Sequence, residues 1–216
     1  MNKRTCFICI NGILTDPRKP DAWTDEFVDW IIRKLPDQVT AVSYEYNATP
    51  LLRRWGQAER AQHIAAKVNA YRRSGYRVVL VGHSNGCDLI ARVIGTMSAE
   101  VDTVHLFAPA ADEQDYDRAI EAGSVRQIHI YGSPNDRALG IGARLSRWLT
   151  FGKLGYGSLG LRGKEFAARN AGIVFDHSRA DYGHSDWFSP RQNFIATMMS
   201  IAHTENLLTA PVLPPA

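Results

Sequence analysis

The chain is short of the residues that would cross-link it or wire a metal into it. Three cysteines in 216 residues, an odd number, exclude a disulfide framework. Cys6 and Cys9 fall in one predicted strand, where a separation of three sends them to opposite faces, so they do not share a metal; no zinc-ligand spacing occurs elsewhere. Cys87 reads as a small packing residue. Long apolar runs are also missing. The longest are strand-sized, which predicts no membrane span, and the apolar run after Asn2-Lys3-Arg4 is too short for a signal peptide, so a cytoplasmic protein is expected. Charge of one sign is scarce: 22% charged residues and a net +3 give no reason to expect a nucleic-acid partner. The basic residues Arg144, Arg147, Lys153, Arg162 and Lys164 gather between Arg137 and Arg169, with Glu165 the one acid among them, and read as a solvated face, with a contact for an anionic substrate, a membrane surface or nucleic acid as the alternative. A phosphate loop is absent too, because Gly163-Lys164-Glu165 lacks the Ser or Thr that follows the lysine in such loops.

What is present is an ordinary soluble composition, 45% hydrophobic, in a length that suits one α/β domain. A single domain over 1–204 and a loose tail over 205–216 are expected. Apolar segments of strand length occur at 5–10, 38–46, 77–81, 101–107, 125–131 and 172–176. Helical patterns stand between them, at 22–35, 56–73, 85–98, 113–121 and 138–150, with a last one at 190–203. A glycine-rich loop is predicted over 152–163, as a surface connection or a gate beside the site. Strands alternating with helices predict a three-layer sandwich, with a mostly parallel central sheet of about six strands covered by helices on both faces. Catalytic or binding groups in such a sheet collect at the carboxyl ends of the strands, near the point where strand order reverses.

The most informative stretch is Arg77-Val78-Val79-Leu80-Val81-Gly82-His83-Ser84-Asn85-Gly86-Cys87-Asp88-Leu89-Ile90. A strand apolar on both faces runs into Gly-x-Ser-x-Gly, and a helical pattern follows at once, which is the strand, sharp turn and helix of a nucleophile elbow. Gly155-Tyr156-Gly157-Ser158-Leu159-Gly160 is also glycine-rich, but it follows no strand and is out of register.

With these features the chain resembles the α/β-hydrolase superfamily from Thr5 to His203, as a small esterase-like or lipase-like member. The segment between the fourth and fifth strands is too short for a large cap. The resemblance implies a Ser-His-Asp triad in chain order: Ser84 as nucleophile, Asp136 in Gly132-Ser133-Pro134-Asn135-Asp136 as acid, and His184 in Tyr182-Gly183-His184-Ser185-Asp186 as base. Asp112, after the preceding strand, is the alternative acid, and either aspartate also suits a helix N-cap. His177 is the alternative base. His63, His105, His129 and His203 fall inside predicted elements. An oxyanion hole is expected from the N–H of Asn85 and from Ile13 or Gly12, where many lipases have His-Gly and this chain has Asn11-Gly12.

The resemblance therefore implies a serine hydrolase that cleaves a carboxylic ester of a small-molecule acyl substrate through an acyl-enzyme, with no metal or organic cofactor. A thioesterase, amidase or acyltransferase with the same triad, or a silent hydrolase fold that binds a partner, remain open alternatives. Trp148, Trp187 and Phe188 suit either a pocket wall or the core, and the sequence carries no signal for oligomeric state.

Overall fold

Alternation along the strands decides the layering. In the computed structural model, which describes residues 4–12, 23–44, 46, 56–96, 99–141 and 157–208, strand β1 (Thr5–Ile10) is buried on both faces. Cys6, Ile8 and Ile10 enter one apolar cluster; Phe7 and Cys9 enter the other. The two cysteines thus point to opposite sides, as their spacing predicts. The same alternation runs through β2 (Val39–Tyr44), β3 (Arg77–His83), β4 (Val101–Phe107), β5 (Val125–Tyr131) and the short β6 (Val174–Asp176). All neighbours pair in parallel, in the order β2-β1-β3-β4-β5-β6.

Parallel strands need crossovers, and helices supply them on both faces. Helices α2 (Gln57–Arg73), α3 (Asn85–Ala91), α4 (Glu113–Glu121) and α5 (Leu159–Arg169) cover one face through Ile64, Val68, Leu89, Tyr116 and Phe166. Helices α1 (Trp23–Lys34) and α6 (Arg191–Thr204) cover the other through Phe27, Ile31, Phe194, Met198 and Ile201. The three-layer sandwich expected from the sequence is therefore present, and its mostly parallel sheet of about six strands is, among the described residues, six strands all paired in parallel. Among the described residues no helix is long and apolar enough to cross a membrane.

The chain leaves β1 towards β2 on one side and leaves β3 towards β4 on the other. Strand order thus reverses between β1 and β3, the place in such a sheet where functional groups collect at the strands' carboxyl ends.

Three elements differ from expectation. The helix after the elbow, predicted to Ser98, ends as a regular α-helix at Ala91 and widens into a π turn over Arg92–Thr96, where Gly95 lies against the Asp115 carbonyl. The glycine-rich loop predicted to Gly163 gives way to α5 at Leu159. Its glycines serve close packing: a Cβ on Gly160 would stand 2.6 Å from the Leu139 side chain, and one on Gly163 would stand 2.8 Å from that of Ile130. Residues 152–156 of that predicted loop, and 142–150 of the predicted helix at 138–150, lie outside the described residues; 137–141 are helical. Finally, the tail expected from 205 begins with a buried residue, and 209–216 lie outside the described residues.

That buried residue, Glu205, closes the end of the sheet remote from the elbow. Its carboxylate has no exposure, pairs with Arg77 at the start of β3 and accepts the Nε2–H of His105 at 2.7 Å. Nδ1 of His105 in turn accepts from the Tyr131 hydroxyl at 3.2 Å. A buried carboxylate is tolerated only when its partners satisfy it, and removing one member strands the others. Glu205→Ala is expected to cost about 3 kcal/mol in urea denaturation, and Glu205→Gln clearly less, because the amide oxygen still accepts. Equal stability of Glu205→Ala and wild type would show that the network contributes nothing.

Candidate active site

The carboxyl end of β3 is where the sequence-expected residues meet. Ser84 sits at the tip of β3 with φ 54° and ψ −121°, a conformation that costs a non-glycine residue about 1–3 kcal/mol. Surrounding hydrogen bonds hold it there. Its N–H donates to the Phe107 carbonyl at 2.9 Å, and its carbonyl accepts from the N–H groups of Cys87 at 3.1 Å and Ala110 at 3.2 Å. Behind it, a Cβ on Gly86 would stand 2.5 Å from the Ile10 carbonyl oxygen and 2.6 Å from that of Asn11. Glycine at 86 is what lets the first turn of α3 cross the end of β1 at that distance.

The partners come from the other side of the sheet. His184 Nε2 is 2.9 Å from Ser84 Oγ, and its Nδ1 is 2.7 Å from Asp136 Oδ2. A carboxylate only accepts, so Nδ1 carries the proton; Nε2 of the neutral ring is then left to accept from the serine hydroxyl. Asp136 is fully shielded as a side chain, and its other oxygen accepts the Leu139 N–H at 3.0 Å. It therefore serves as the N-cap of the helix at 137–141 and as the partner of His184 at once.

The loop carrying His184 is fastened at several points. Asp186 accepts the Gly183 N–H at 2.7 Å, Asn193 of α6 donates to the Asp186 carbonyl at 2.8 Å, and the Thr197 hydroxyl donates to the Trp187 carbonyl at 2.8 Å. Trp187 itself is buried against Phe107 and Tyr131, which places it in the core. Phe188 is half-buried and stacks on Trp23 at 4.2 Å between ring centroids. Trp148 lies outside the described residues.

The two alternatives stand elsewhere. Asp112 is exposed at the start of α4, and the carboxylate on His184 Nδ1 is that of Asp136. His177 faces His129, with Nε2 and Nδ1 3.0 Å apart, and stacks on Tyr131.

Of the expected oxyanion donors, Asn85 is buried at the first turn of α3 and Gly12 lies against the serine, where a Cβ would stand 3.0 Å from that of Ser84; Ile13 lies outside the described residues. One neighbour escaped the sequence reading. Tyr46, just past β2, accepts from the Asn85 side chain at 2.9 Å, and burial holds its phenol above the usual range. No local pattern marks this contact, because β2 and α3 meet only through the sheet order. Among the described residues no group of three or more His, Cys, Asp or Glu side chains could hold a metal ion.

A charge-neutral serine hydroxyl facing an imidazole and a buried carboxylate is an arrangement that can pass a proton from Ser84 to His184 as Ser84 Oγ forms a bond. The family model for serine hydrolases matches residues 18–134. No curated protein sequence matches the chain. Solved structures share its fold at low identity. An uncharacterized protein from Bacillus cereus ATCC 10987 superimposes with a TM-score of 0.62 at 12% identity, over 96% of this chain and 61% of that one. The present chain thus spans less than two thirds of that protein's length. Alpha/beta hydrolase domain-containing protein 10 from mouse gives 0.61 at 12% identity, over 97% and 93%. Esterase PE8 gives 0.58 at 11% identity, over 93% of each chain. These likenesses establish the α/β-hydrolase fold.

The histidines near the site make stability depend on pH. Burial, with the neighbouring His105 and His177 next, pushes His129 from the ordinary 6.5 down to about 3, and His177 is lowered, by burial first and by His105 next. The unfolded chain takes up a proton near pH 6.5 and the folded chain only near pH 3, so unfolding binds a proton between those values. The contribution is complete above pH 6.5 and is lost as pH falls. Denaturation midpoints are expected to drop below pH 6.5, by on the order of 1 kcal/mol per pH unit, and His129→Phe is expected to flatten that slope. A slope unchanged in this variant would assign it to other groups.

Proposed function

The chain belongs to the serine hydrolase family, and from that premise we propose that it cleaves carboxylic esters, with Ser84 as nucleophile, His184 as general base and acid, and Asp136 as the group that orients and balances the imidazolium. The observation that carries this reading is the unbroken line of hydrogen bonds from Ser84 Oγ through both nitrogens of His184 to the shielded carboxylate of Asp136.

Attack proceeds as Ser84 Oγ bonds to the acyl carbon while His184 Nε2 takes the hydroxyl proton. The carbonyl oxygen gains the negative charge. We assign its stabilisation to the Asn85 N–H, at the positive end of α3, and to a backbone N–H of the loop that begins Asn11-Gly12, from Gly12 or Ile13. The proton then passes from His184 to the departing alcohol oxygen as its bond to carbon breaks. Water repeats the sequence on the acyl-enzyme, giving the acid and free Ser84. Asp136 keeps its charge throughout, and its hydrogen bond to Nδ1 holds the tautomer that leaves Nε2 able to accept.

An ester is favoured over an amide by the esterase among the structural neighbours, which is a likeness of fold. The leaving group is therefore a matter for measurement. The test is labelling by a fluorophosphonate probe, with the modified peptide located by mass spectrometry, followed by turnover of p-nitrophenyl esters, an acyl thioester and an anilide. Ser84 is expected to carry the label. Ser84→Ala and His184→Ala are expected to lose it, and Asp136→Asn to slow it on the order of 10³-fold or more, while Asp112→Asn labels at the wild-type rate. No label on folded wild type would overturn the assignment. Turnover of the thioester or anilide with inert esters would replace the ester by that acyl class.

A further inference from the structure

Beyond Ser84, His184 and Asp136, the residue just before the serine has its own task. We propose that His83, as a neutral imidazole, donates its Nε2–H to the backbone carbonyl of His184 and so holds the base in line with Ser84. The inference rests on the reading of Ser84 and His184 given above.

Three observations support it. Nε2 of His83 lies 3.0 Å from the His184 carbonyl oxygen. That oxygen can only accept, so Nε2 must carry a proton. The bond therefore runs directly from the last residue of β3, which places the nucleophile, to the backbone of the residue that carries the base. It crosses a sequence separation of 101 residues.

The ring is also held from two sides. Its face and edge contacts are with Trp23, at 6.4 Å and 82°, and with Phe188, at 5.4 Å and 86° between ring planes. Phe188 belongs to the same loop as His184, and it stacks on Trp23 of α1. His83 is thereby attached to the loop twice, once through the carbonyl of His184 and once through an aromatic contact four residues further on. An imidazole so clamped presents its N–H in one direction, which is what a positioning hydrogen bond requires.

Neutrality matters for the chemistry. The rings of His83 and His184 are 5.0 Å apart, and His184 becomes a cation in each half of the proposed reaction. A second cation at that distance would oppose it. Burial, with the neighbouring His184 next, pushes His83 from 6.5 down to about 4, so the side chain donates a hydrogen bond near neutral pH without adding a charge. A lysine or arginine would supply the donor and the unwanted charge together.

His83 touches neither of the atoms expected to exchange the proton, Ser84 Oγ and His184 Nε2, in the contacts described; it acts through His184 and is a positioning residue. Its loss should lower the rate of the bond-forming step and leave binding nearly unchanged, since misplacing a reacting group by about 1 Å can cost on the order of 10²-fold.

The experiment combines two readouts on the full chain. The first is fluorophosphonate labelling of wild type, His83→Leu and His83→Gln, with the saturating rate and the half-saturating probe concentration determined separately, alongside thermal unfolding of each. His83→Leu is expected to label about 10- to 100-fold more slowly at saturation, with little change in half-saturation. In His83→Gln the amide N–H reaches a similar position and most of the rate should return. The second readout is the ¹⁵N shifts of the histidine side chains. His83 should be neutral at pH 7 with its proton on Nε2, and the hydrogen-bonded Nδ1–H of His184 should exchange faster in His83→Leu than in wild type.

A His83→Leu protein that labels at the wild-type rate, a His83→Gln protein that is folded yet as slow as His83→Leu, or a His83 ring protonated on Nδ1 alone would overturn the proposal. Wild type that fails to label would sink the hydrolase assignment instead. The tautomer of His83 and the exchange of the His184 proton would then decide the hydrogen bond by themselves.

Discussion

The approach of β1 to the first turn of α3 is the constraint on which the rest depends. Residue 86 has room for a hydrogen and nothing more, because a Cβ there would stand 2.5 and 2.6 Å from the carbonyl oxygens of Ile10 and Asn11. That contact sets the entry angle of α3, and with it the turn in which Ser84 adopts a positive φ. The strain at Ser84 persists because three backbone hydrogen bonds and a fully paired β3 over-determine its position. The start of the loop after β1 also lies against the serine, where a Cβ on Gly12 would stand 3.0 Å from that of Ser84.

From that edge the sheet distributes labour along its length. The carboxyl ends of β3, β5 and β6 carry the serine, the aspartate and the histidine. At the far end, Glu205 pairs with Arg77 and His105, tying the end of α6 to β3 and β4. α6 thus runs between the two regions: Asn193 and Thr197 in its first half brace the loop that carries His184, and its final turn leads into the buried carboxylate of Glu205.

Side chains here answer two demands at once. Asp136 caps a helix with one oxygen and meets His184 with the other, so its position is over-determined by local structure as well as by the site. The aromatic groups do the same. Trp187 and Phe107 fill the core beneath the loop, whereas the half-buried Phe188 and Trp23 bound the ring of His83.

The sequence by itself determined the order and type of nearly every described element, because period-two and period-3.6 patterns are local properties of the chain. It also marked the elbow, where glycine, serine and glycine follow an apolar strand. It misjudged the glycines at 160 and 163, since a glycine that admits a close helix looks the same in sequence as one that makes a loop. Only the tertiary structure decided which carboxylate faces His184. Asp112 and Asp136 occupy equivalent local settings, each after a strand and before a helix. The difference is the order of strands in space: β5 pairs with β6, so the loop after β5 adjoins the loop that carries His184, and the loop after β4 is one strand further away. The contact of His83 with the His184 carbonyl was likewise invisible, because no pattern within one segment records which backbone from another segment will be folded against it.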